Sequence, residues 1–201
     1  MREGNHAATH PAASPVVRLV ALVSTTSAEI AELRAAVVRL RPAPGQRRFS
    51  GAAEQTLPQS DGDPNRIPFA VVRRDNDVND VNEQASAVAR ATVGFGVLDS
   101  GSARSEFTTD PSETVLLRAF YIEPYWQGHG IGRAACRALD DLVPDVLPWA
   151  RWVLLTVNEG NEPAIRAYRA AGFRDTGRRY HGGAQGPQLV LVRPVSITPP
   201  A

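Results

Sequence analysis

Three glycines within five positions, Gly128, Gly130 and Gly132, constrain this chain more than any other part of its sequence. They follow an apolar run that ends at Ile122 and precede a helix-like stretch that begins near Arg133. Glycine lets the backbone approach an anion closely, and the free N–H groups at a helix start favour negative charge there. The order of strand, glycine loop and helix therefore predicts a cradle for a diphosphate group.

Length and composition limit the kind of protein this is. The 201 residues suit one domain, which we place at 16–195 between flexible tails at 1–15 and 196–201. A net charge of +1 indicates no general nucleic-acid binder. The single cysteine, Cys136, excludes an intrachain disulfide and a thiolate metal cluster, and we interpret it as a small buried residue. Because we find neither a signal-peptide core nor an apolar stretch of about 18 residues, we expect a cytoplasmic protein with no membrane partner.

Apolar spacing predicts alternating strands and helices. A helix carrying Ile30, Leu33 and Val37 follows a first strand at 16–23, and the polar residues 45–68 form a loop or a short mobile helix where a substrate lid can lie. The remaining predicted elements are strands at 68–73, 86–98 and 114–122, a helix at 133–142 ended by Pro144, a strand at 152–157, a helix at 162–171 with Asn161 as its N-cap and Gly172 after its end, and strands at 173–180 and 188–195.

The Asp/Asn-rich turn at 75–80 invites a calcium interpretation. A calcium loop needs glycine at its sixth position and glutamate at its twelfth. Counted from Asp75, those positions hold Asp80 and Ser86, so we predict no metal site.

Two cofactor patterns compete for the glycine loop. Gly130, Gly132 and Ala135 fit the Gly-x-Gly-x-x-Gly/Ala fingerprint of dinucleotide-binding domains. That fingerprint usually follows the first strand, whereas four predicted strands precede this loop and only about 70 residues follow it. A nicotinamide-dependent oxidoreductase is therefore the weaker hypothesis. The second pattern, Gln/Arg-x-x-Gly-x-Gly/Ala, is matched by Gln127, Gly130 and Gly132.

A downstream segment favours the second pattern. Residues 155–173 resemble the signature Leu-x-Val-x-x-x-Asn-x-x-Ala-x-x-x-Tyr-x-x-x-Gly-Phe at every fixed position, and the chain thereby resembles the GCN5-related N-acetyltransferase (GNAT) superfamily. The resemblance implies an α/β (α+β) fold with a mixed, twisted sheet of six to seven strands and helices on both faces. It also implies a splayed central strand pair, here ending at Ile122 and Val157, and acetyl-coenzyme A as the acyl donor.

The resemblance assigns cofactor contacts to two segments. Main-chain groups of Phe120, Tyr121 and Ile122 would pair with the pantetheine arm as an added strand does. The pyrophosphate would lie against the backbone N–H groups of the loop, which are those of Gln127, Gly128, His129, Gly130, Ile131, Gly132 and Arg133. The Asn161 side chain would bond the cofactor arm, cap its helix, or do both. The side chains of His129 and Arg133 either contact the anionic cofactor or are solvated.

Tyr168 is the catalytic residue that the resemblance implies, protonating the departing coenzyme A sulfur; the alternative is a tyrosine that only packs. A phenol of pKa about 10 stays protonated at neutral pH. The attacking amine, of pKa about 10.4, is neutral in only about one molecule in 2,500 at pH 7, so a base or ordered water must assist it. Glu113, Glu123 and His181 are candidates by location, and the base stays unassigned.

The acceptor is expected between residues 24–68 and the hairpin at 178–188, where Tyr180 and His181 are candidate contacts. The hairpin wall has no carboxylate, which disfavours a polycation, whereas Glu54, Asp61 and Asp63 on the other wall leave that class of acceptor open. The leading hypothesis is an acetyl-coenzyme A dependent N-acetyltransferase that acts on a primary amine of a small molecule or peptide by direct attack in a ternary complex. The alternative is a non-catalytic acyl-coenzyme A sensor. Family members are often dimers, so a homodimer is also an expectation.

Overall fold

The computed structural model describes residues 16–23, 26–46, 51–74, 86–183 and 185–196. One seven-stranded sheet runs through this part of the chain in the order β1-β2-β3-β4-β5-β7-β6. The strands are β1 (Val17–Ala21), β2 (Arg66–Arg73), β3 (Thr92–Asp99), β4 (Thr114–Ile122), β5 (Trp152–Asn158), β6 (Arg174–Tyr180) and β7 (Gln188–Pro194). The expected mixed sheet of six to seven strands is confirmed.

The centre of the sheet holds its one parallel contact among the described strands, between β4 and β5. Only three residue pairs form it, from Thr114 with Trp152 to Leu116 with Leu154, while β4 continues to Ile122 and β5 to Asn158. Beyond Leu116, β4 pairs with β3 alone. The two strands therefore diverge toward their carboxyl ends, which confirms the expected splayed pair.

Helices cover both faces of the sheet because side chains of β2 alternate between two hydrophobic clusters. Phe69 and Val71 pack with one group of helices, and Ala70 and Val72 with the other. The helices are α1 (Ala28–Arg39) and α2 (Ala53–Asp61), which form the second cluster, the short α3 (Ala87–Ala91), and α4 (Ile131–Arg137), α5 (Leu139–Val146) and α6 (Glu162–Ala170), which form the first. Two 3-10 turns lie at Ser102–Glu106 and Pro124–Trp126.

Two predicted boundaries are wrong. The strand expected from residue 86 begins only at Thr92, because the Ala-rich residues 87–91 form α3 instead. The helix expected at 133–142 starts at Ile131, is interrupted at Ala138 and continues past Pro144 to Val146. At the interruption, the N–H groups of Asp141 and Leu142 share the Ala138 carbonyl. Pro144 removes one helical donor without ending the helix at once.

The ends of α6 follow the chemistry that its sequence predicts. The Asn161 side chain accepts from the Ala164 N–H at 3.4 Å. Gly172 has φ +94°, and the amides of Gly172 and Phe173 donate back to the carbonyls of Arg169 and Tyr168. This pair of bonds brings the Phe173 ring to 5.7 Å from the Tyr168 ring. The helix end thus fixes the position of Tyr168.

Candidate functional site

The glycine loop has the backbone that its sequence predicts. Gly128 and Gly130 have φ values of +81° and +79°, the left-handed region that favours glycine, and Gly130 is the N-cap of α4. Among the described residues, the N–H groups of residues 128–133 have no backbone acceptor. An alanine Cβ at Gly132 would stand 3.7 Å from Ile122 Cγ1, an ordinary contact. The donor set suits a phosphate group.

Gln127 braces this loop with its side chain. Its Nε2 donates to the Ile122 carbonyl at 2.7 Å and to Gln46 Oε1 at 2.8 Å. Its backbone N–H, which the sequence assigned to the phosphate cradle, donates to the Pro124 carbonyl at 3.1 Å. The run of amides available to an anion therefore begins at Gly128, and Gln127 ties the loop to the end of β4.

Two side chains of the loop face different surroundings. His129 is exposed, and its ring lies edge to face with Trp126 at 6.5 Å between centroids. Arg73 stacks over the same indole at 3.9 Å. Arg133 is half-buried, and no residue in the described ranges pairs with its guanidinium. Arg133 is thus the side chain of the loop with charge available for an anion.

Two cavities meet beside the splayed strands. The loop cavity, of about 630 Å³, lies between the glycine loop and one side of α6. The sheet cavity, of about 500 Å³, lies among β4, β5, α2 and the 3-10 turn at Ser102–Glu106. The residues that line both are Gln46, Phe120, Tyr121, Ala164 and Tyr168. A molecule held in one cavity can therefore reach a molecule held in the other at this junction.

A distortion of β4 lies at the same junction. Phe95 pairs with Tyr121 but Val97 pairs with Arg118, so two residues of β4 oppose one of β3. One of them, Ala119, has φ +49°. This bulge changes the direction of the strand just before Phe120, Tyr121 and Ile122, all of which line the loop cavity. Nothing in the sequence signals it, because alanine does not favour this conformation.

Tyr168 is held by neighbouring rings and lines both cavities. Its ring lies 6.4 Å from Phe120 and 5.7 Å from Phe173. No residue in the described part of the chain hydrogen-bonds its hydroxyl. Burial, and secondarily the neighbouring Cys136, raises the pKa of the phenol well above its usual range, although some of the side chain stays accessible from the cavities. The Tyr168 hydroxyl therefore keeps its proton throughout the neutral pH range.

The other predicted polar residues are distributed unevenly. Asn161 caps α6 and also lines the sheet cavity, so the helix-cap interpretation holds and a ligand contact is compatible with it. None of the three base candidates, Glu113, Glu123 and His181, lines either cavity. Glu123 accepts from the Tyr125 N–H as a cap of its turn. Sequence reasoning missed Glu106, a carboxylate that lines the sheet cavity and carries no motif signal.

The lining of the sheet cavity draws on the segments expected to bind the acceptor. Gln46, Thr56 and Gln59 contribute from the N-terminal side, and Tyr180 and Gln188 from the last hairpin. His181, the other candidate contact, is exposed and lies outside the lining. The Tyr180 ring is fixed edge to face against Phe107 at 4.9 Å.

Cys136 lies in the core beneath Tyr168, as expected for a small apolar residue. Burial raises the pKa of its thiol from 9.0 to about 12. The folded state then retains a proton that the unfolded chain loses, so this stability is complete below pH 9 and is lost as the pH rises toward 12. By pH 10 we expect a loss on the order of 1 kcal/mol in the free energy of unfolding relative to pH 7.

Urea denaturation under reducing conditions at both pH values tests this expectation. Cys136→Ala removes the thiol, so its stability should fall less between pH 7 and pH 10 than that of the wild-type protein. The comparison concerns only the change with pH, because the lost side-chain volume lowers stability equally at both values. Parallel pH dependences would contradict a buried, neutral thiol.

The described ranges contain neither a membrane-spanning helix nor a cluster of metal ligands. No helix there is long and apolar enough to cross a bilayer. No group of three or more His, Cys, Asp or Glu side chains is arranged there to hold a metal ion. The turn at 75–80, considered above for calcium, lies outside the described residues.

Comparison with solved structures identifies the fold. The structure of AAC(6')-Ib with paromomycin and acetyl-coenzyme A has a TM-score of 0.59 at 19% identity, over 89% of this chain and 93% of that one. Spermidine N-acetyltransferase from Vibrio cholerae with coenzyme A and spermine has a TM-score of 0.57 at 15% identity, over 89% of this chain and 95% of that one. At these identities the likeness establishes the fold alone.

Sequence comparison is more specific over shorter ranges. A mycothiol acetyltransferase from Thermobifida fusca (strain YX) is 47% identical over 53 residues, which are 26% of this chain and only 16% of that relative's length. The family model described as Acetyltransferase (GNAT) family matches residues 47–173. That range contains the glycine loop, the segment around Tyr168, and all the residues that line both cavities except Gln46. This chain belongs to the GNAT acetyltransferase family.

Proposed function

We propose that this chain is an acetyl-coenzyme A dependent N-acetyltransferase that acts on a primary amine of a small molecule or peptide. The observation that carries the proposal is the junction of the loop cavity and the sheet cavity at Tyr168. One cavity offers phosphate-binding amides and the other has room for a second substrate. Such an arrangement suits direct attack in a ternary complex rather than transfer through an enzyme-bound acyl group.

The loop cavity would hold the acyl donor. The N–H groups of residues 128–133 and the Arg133 guanidinium would contact its diphosphate. The main chain of β4 from Phe120 to Ile122, which has no β5 partner, would pair with its amide-containing arm. When bound, acetyl-coenzyme A supplies a thioester as the acyl source. The solved relatives bound to coenzyme A or acetyl-coenzyme A support this assignment.

The sheet cavity would present the amine to that thioester. As the new C–N bond forms and the C–S bond breaks, one proton must leave the nitrogen and one must reach the sulfur. Tyr168 lines the junction of the cavities and stays protonated at neutral pH, so it would deliver the second proton. Its burial raises the pKa of the phenol and so makes that transfer more costly than it would be in water. Among the described residues that line this cavity, Glu106 is the carboxylate. It can receive the proton that leaves the nitrogen, through ordered water.

A direct assay tests the proposal. Purified protein, acetyl-coenzyme A and a panel of primary amines are mixed, and free thiol is measured as coenzyme A is released. We expect thiol release that depends on the amine, with the acetylated amine detected by mass spectrometry. Tight coenzyme A binding by calorimetry without turnover on any amine would instead indicate an acyl-coenzyme A sensor. The cytoplasmic location and a homodimer stay predictions.

A further inference from the structure

The charges that line the sheet cavity set it apart from a site for polycations. Its ionisable lining, within the described ranges, consists of Arg66, Arg118, Glu106 and three tyrosines. Three acidic residues on or just after α2 do not line the sheet cavity, and each is already paired with an arginine. Those pairs are Glu54 with Arg41 at 3.1 Å, Asp61 with Arg34, and Asp63 with Arg66 at 3.2 Å. A polyamine or aminoglycoside would therefore meet one carboxylate and two guanidinium groups.

A buried aspartate holds the two guanidinium groups at the cavity wall. Asp99 is 3% exposed, and its Oδ1 accepts from the Gly101 N–H at 2.8 Å. Its Oδ2 accepts from Arg118 Nη1 at 2.8 Å and from Arg66 Nε at 3.3 Å. The three side chains come from β2, β3 and β4, so the sheet itself fixes their positions. Asp99 is a positioning residue that orients both cations.

Arg118 keeps donors available after these bonds are made. A guanidinium has five N–H groups in a rigid fork, and Asp99 engages Arg118 through Nη1 alone. The Arg118 side chain is 43% exposed, and no described residue accepts from its Nε or Nη2. Arg66 is less exposed and divides its Nε between Asp63 and Asp99. Arg118 is thus the better-placed donor for an oxyanion in the cavity.

We propose that the acceptor carries a carboxylate as well as the reacting amine, and that Arg118 selects for it. The inference rests on the proposed function and names its substrate class: an amino acid or a short peptide rather than a polyamine or aminoglycoside. The planar fork of arginine matches a carboxylate with two N–H donors, and the partly enclosed cavity strengthens such bonds relative to bulk water. Glu106, on the same lining, carries the negative charge that the ammonium group of a zwitterionic acceptor requires.

Matched pairs of substrates test this inference. L-amino acids and their carboxamides are compared in the thiol-release assay by their kcat/KM values, with spermidine and kanamycin as polycationic probes. We expect the wild-type protein to prefer the acids, and Arg118→Gln to reduce the acid-to-amide ratio by about ten- to a hundredfold. The kcat/KM value for the amides should change less than threefold. Arg174→Gln, which removes an exposed arginine outside both cavities, should leave the ratio unchanged.

Different outcomes separate this inference from the proposed function. Turnover with equal efficiency on acids and amides, or best turnover on the polycations, overturns the inference and leaves the N-acetyltransferase intact. No turnover on any amine overturns the proposed function, and calorimetric binding of the same acid and amide pairs with coenzyme A present then decides whether the cavity selects a carboxylate. Retained thermal stabilisation by coenzyme A shows that a variant is folded. If Arg118→Gln does not fold, Arg118→Lys is compared in its place, because lysine keeps the charge and loses the planar fork.

Discussion

Replacing Tyr168 with phenylalanine is expected to lower the rate of acetyl transfer by about a hundredfold or more, the range typical of losing a general acid. The affinity for coenzyme A should change less than threefold. The phenyl ring can keep the contacts with Phe120 and Phe173. Because no described residue bonds the hydroxyl, its removal leaves no buried partner unsatisfied. The variant thus separates proton delivery from packing.

Single-turnover kinetics measure this effect directly, because slow product release can hide a change in chemistry. Tyr125→Phe is the matched control, since Tyr125 is an exposed tyrosine that lines neither cavity. We expect that control to retain the wild-type rate within threefold. The wild-type rate should also show no loss from Tyr168 ionisation up to pH 10, since the pKa of the phenol is raised. A Tyr168→Phe rate within threefold of wild type would restrict Tyr168 to packing.

Local chemistry explains which parts of the fold are readable from the sequence. The ends of α6 are predicted by Asn161, Pro163 and Gly172, because each acts on the backbone within a few residues of itself. The start of β3 is not predicted in this way, because Val88 and the alanines around it can extend a strand or form a helix. Helix propensity decides between the two locally. Pro144 shows the limit of a single-residue rule, since it removes a helical donor and yet the helix continues past it to Val146.

The candidate site divides in the same way. The glycine loop and Tyr168 belong to contiguous motifs, so the sequence reveals them. Arg118, Asp99 and Arg66 are separated by 19 and 33 positions, and only pairing of their strands brings them together. The bulge at Ala119 also depends on the partner strand. The sequence therefore indicates the acyl donor more clearly than the acceptor, since the acceptor site is built from long-range contacts.

Replacing Gly130 with alanine is expected to weaken coenzyme A binding by about five- to thirtyfold. Gly130 has φ +79° at the N-cap of α4, and a side chain in this left-handed region costs roughly 1–2 kcal/mol. If the altered loop relaxes to avoid that strain, the N–H groups of residues 128–133 no longer point to one centre, and affinity is lost. If the loop keeps its shape instead, the strain at residue 130 lowers the free energy of unfolding by the same amount. Calorimetric titration and urea denaturation together measure both.

Gly132→Ala is the matched control, two positions further along the same loop. Gly132 has no positive φ, and its added methyl group would make an ordinary contact with Ile122 at 3.7 Å. We therefore expect affinity within about twofold of wild type, in line with a family pattern that admits alanine there, and stability no lower than that of wild type because alanine favours the helix. Equal losses in both variants would mean that any added methyl group blocks the cradle. A loss at Gly130 alone would mean that the backbone conformation, rather than open space, makes the cradle.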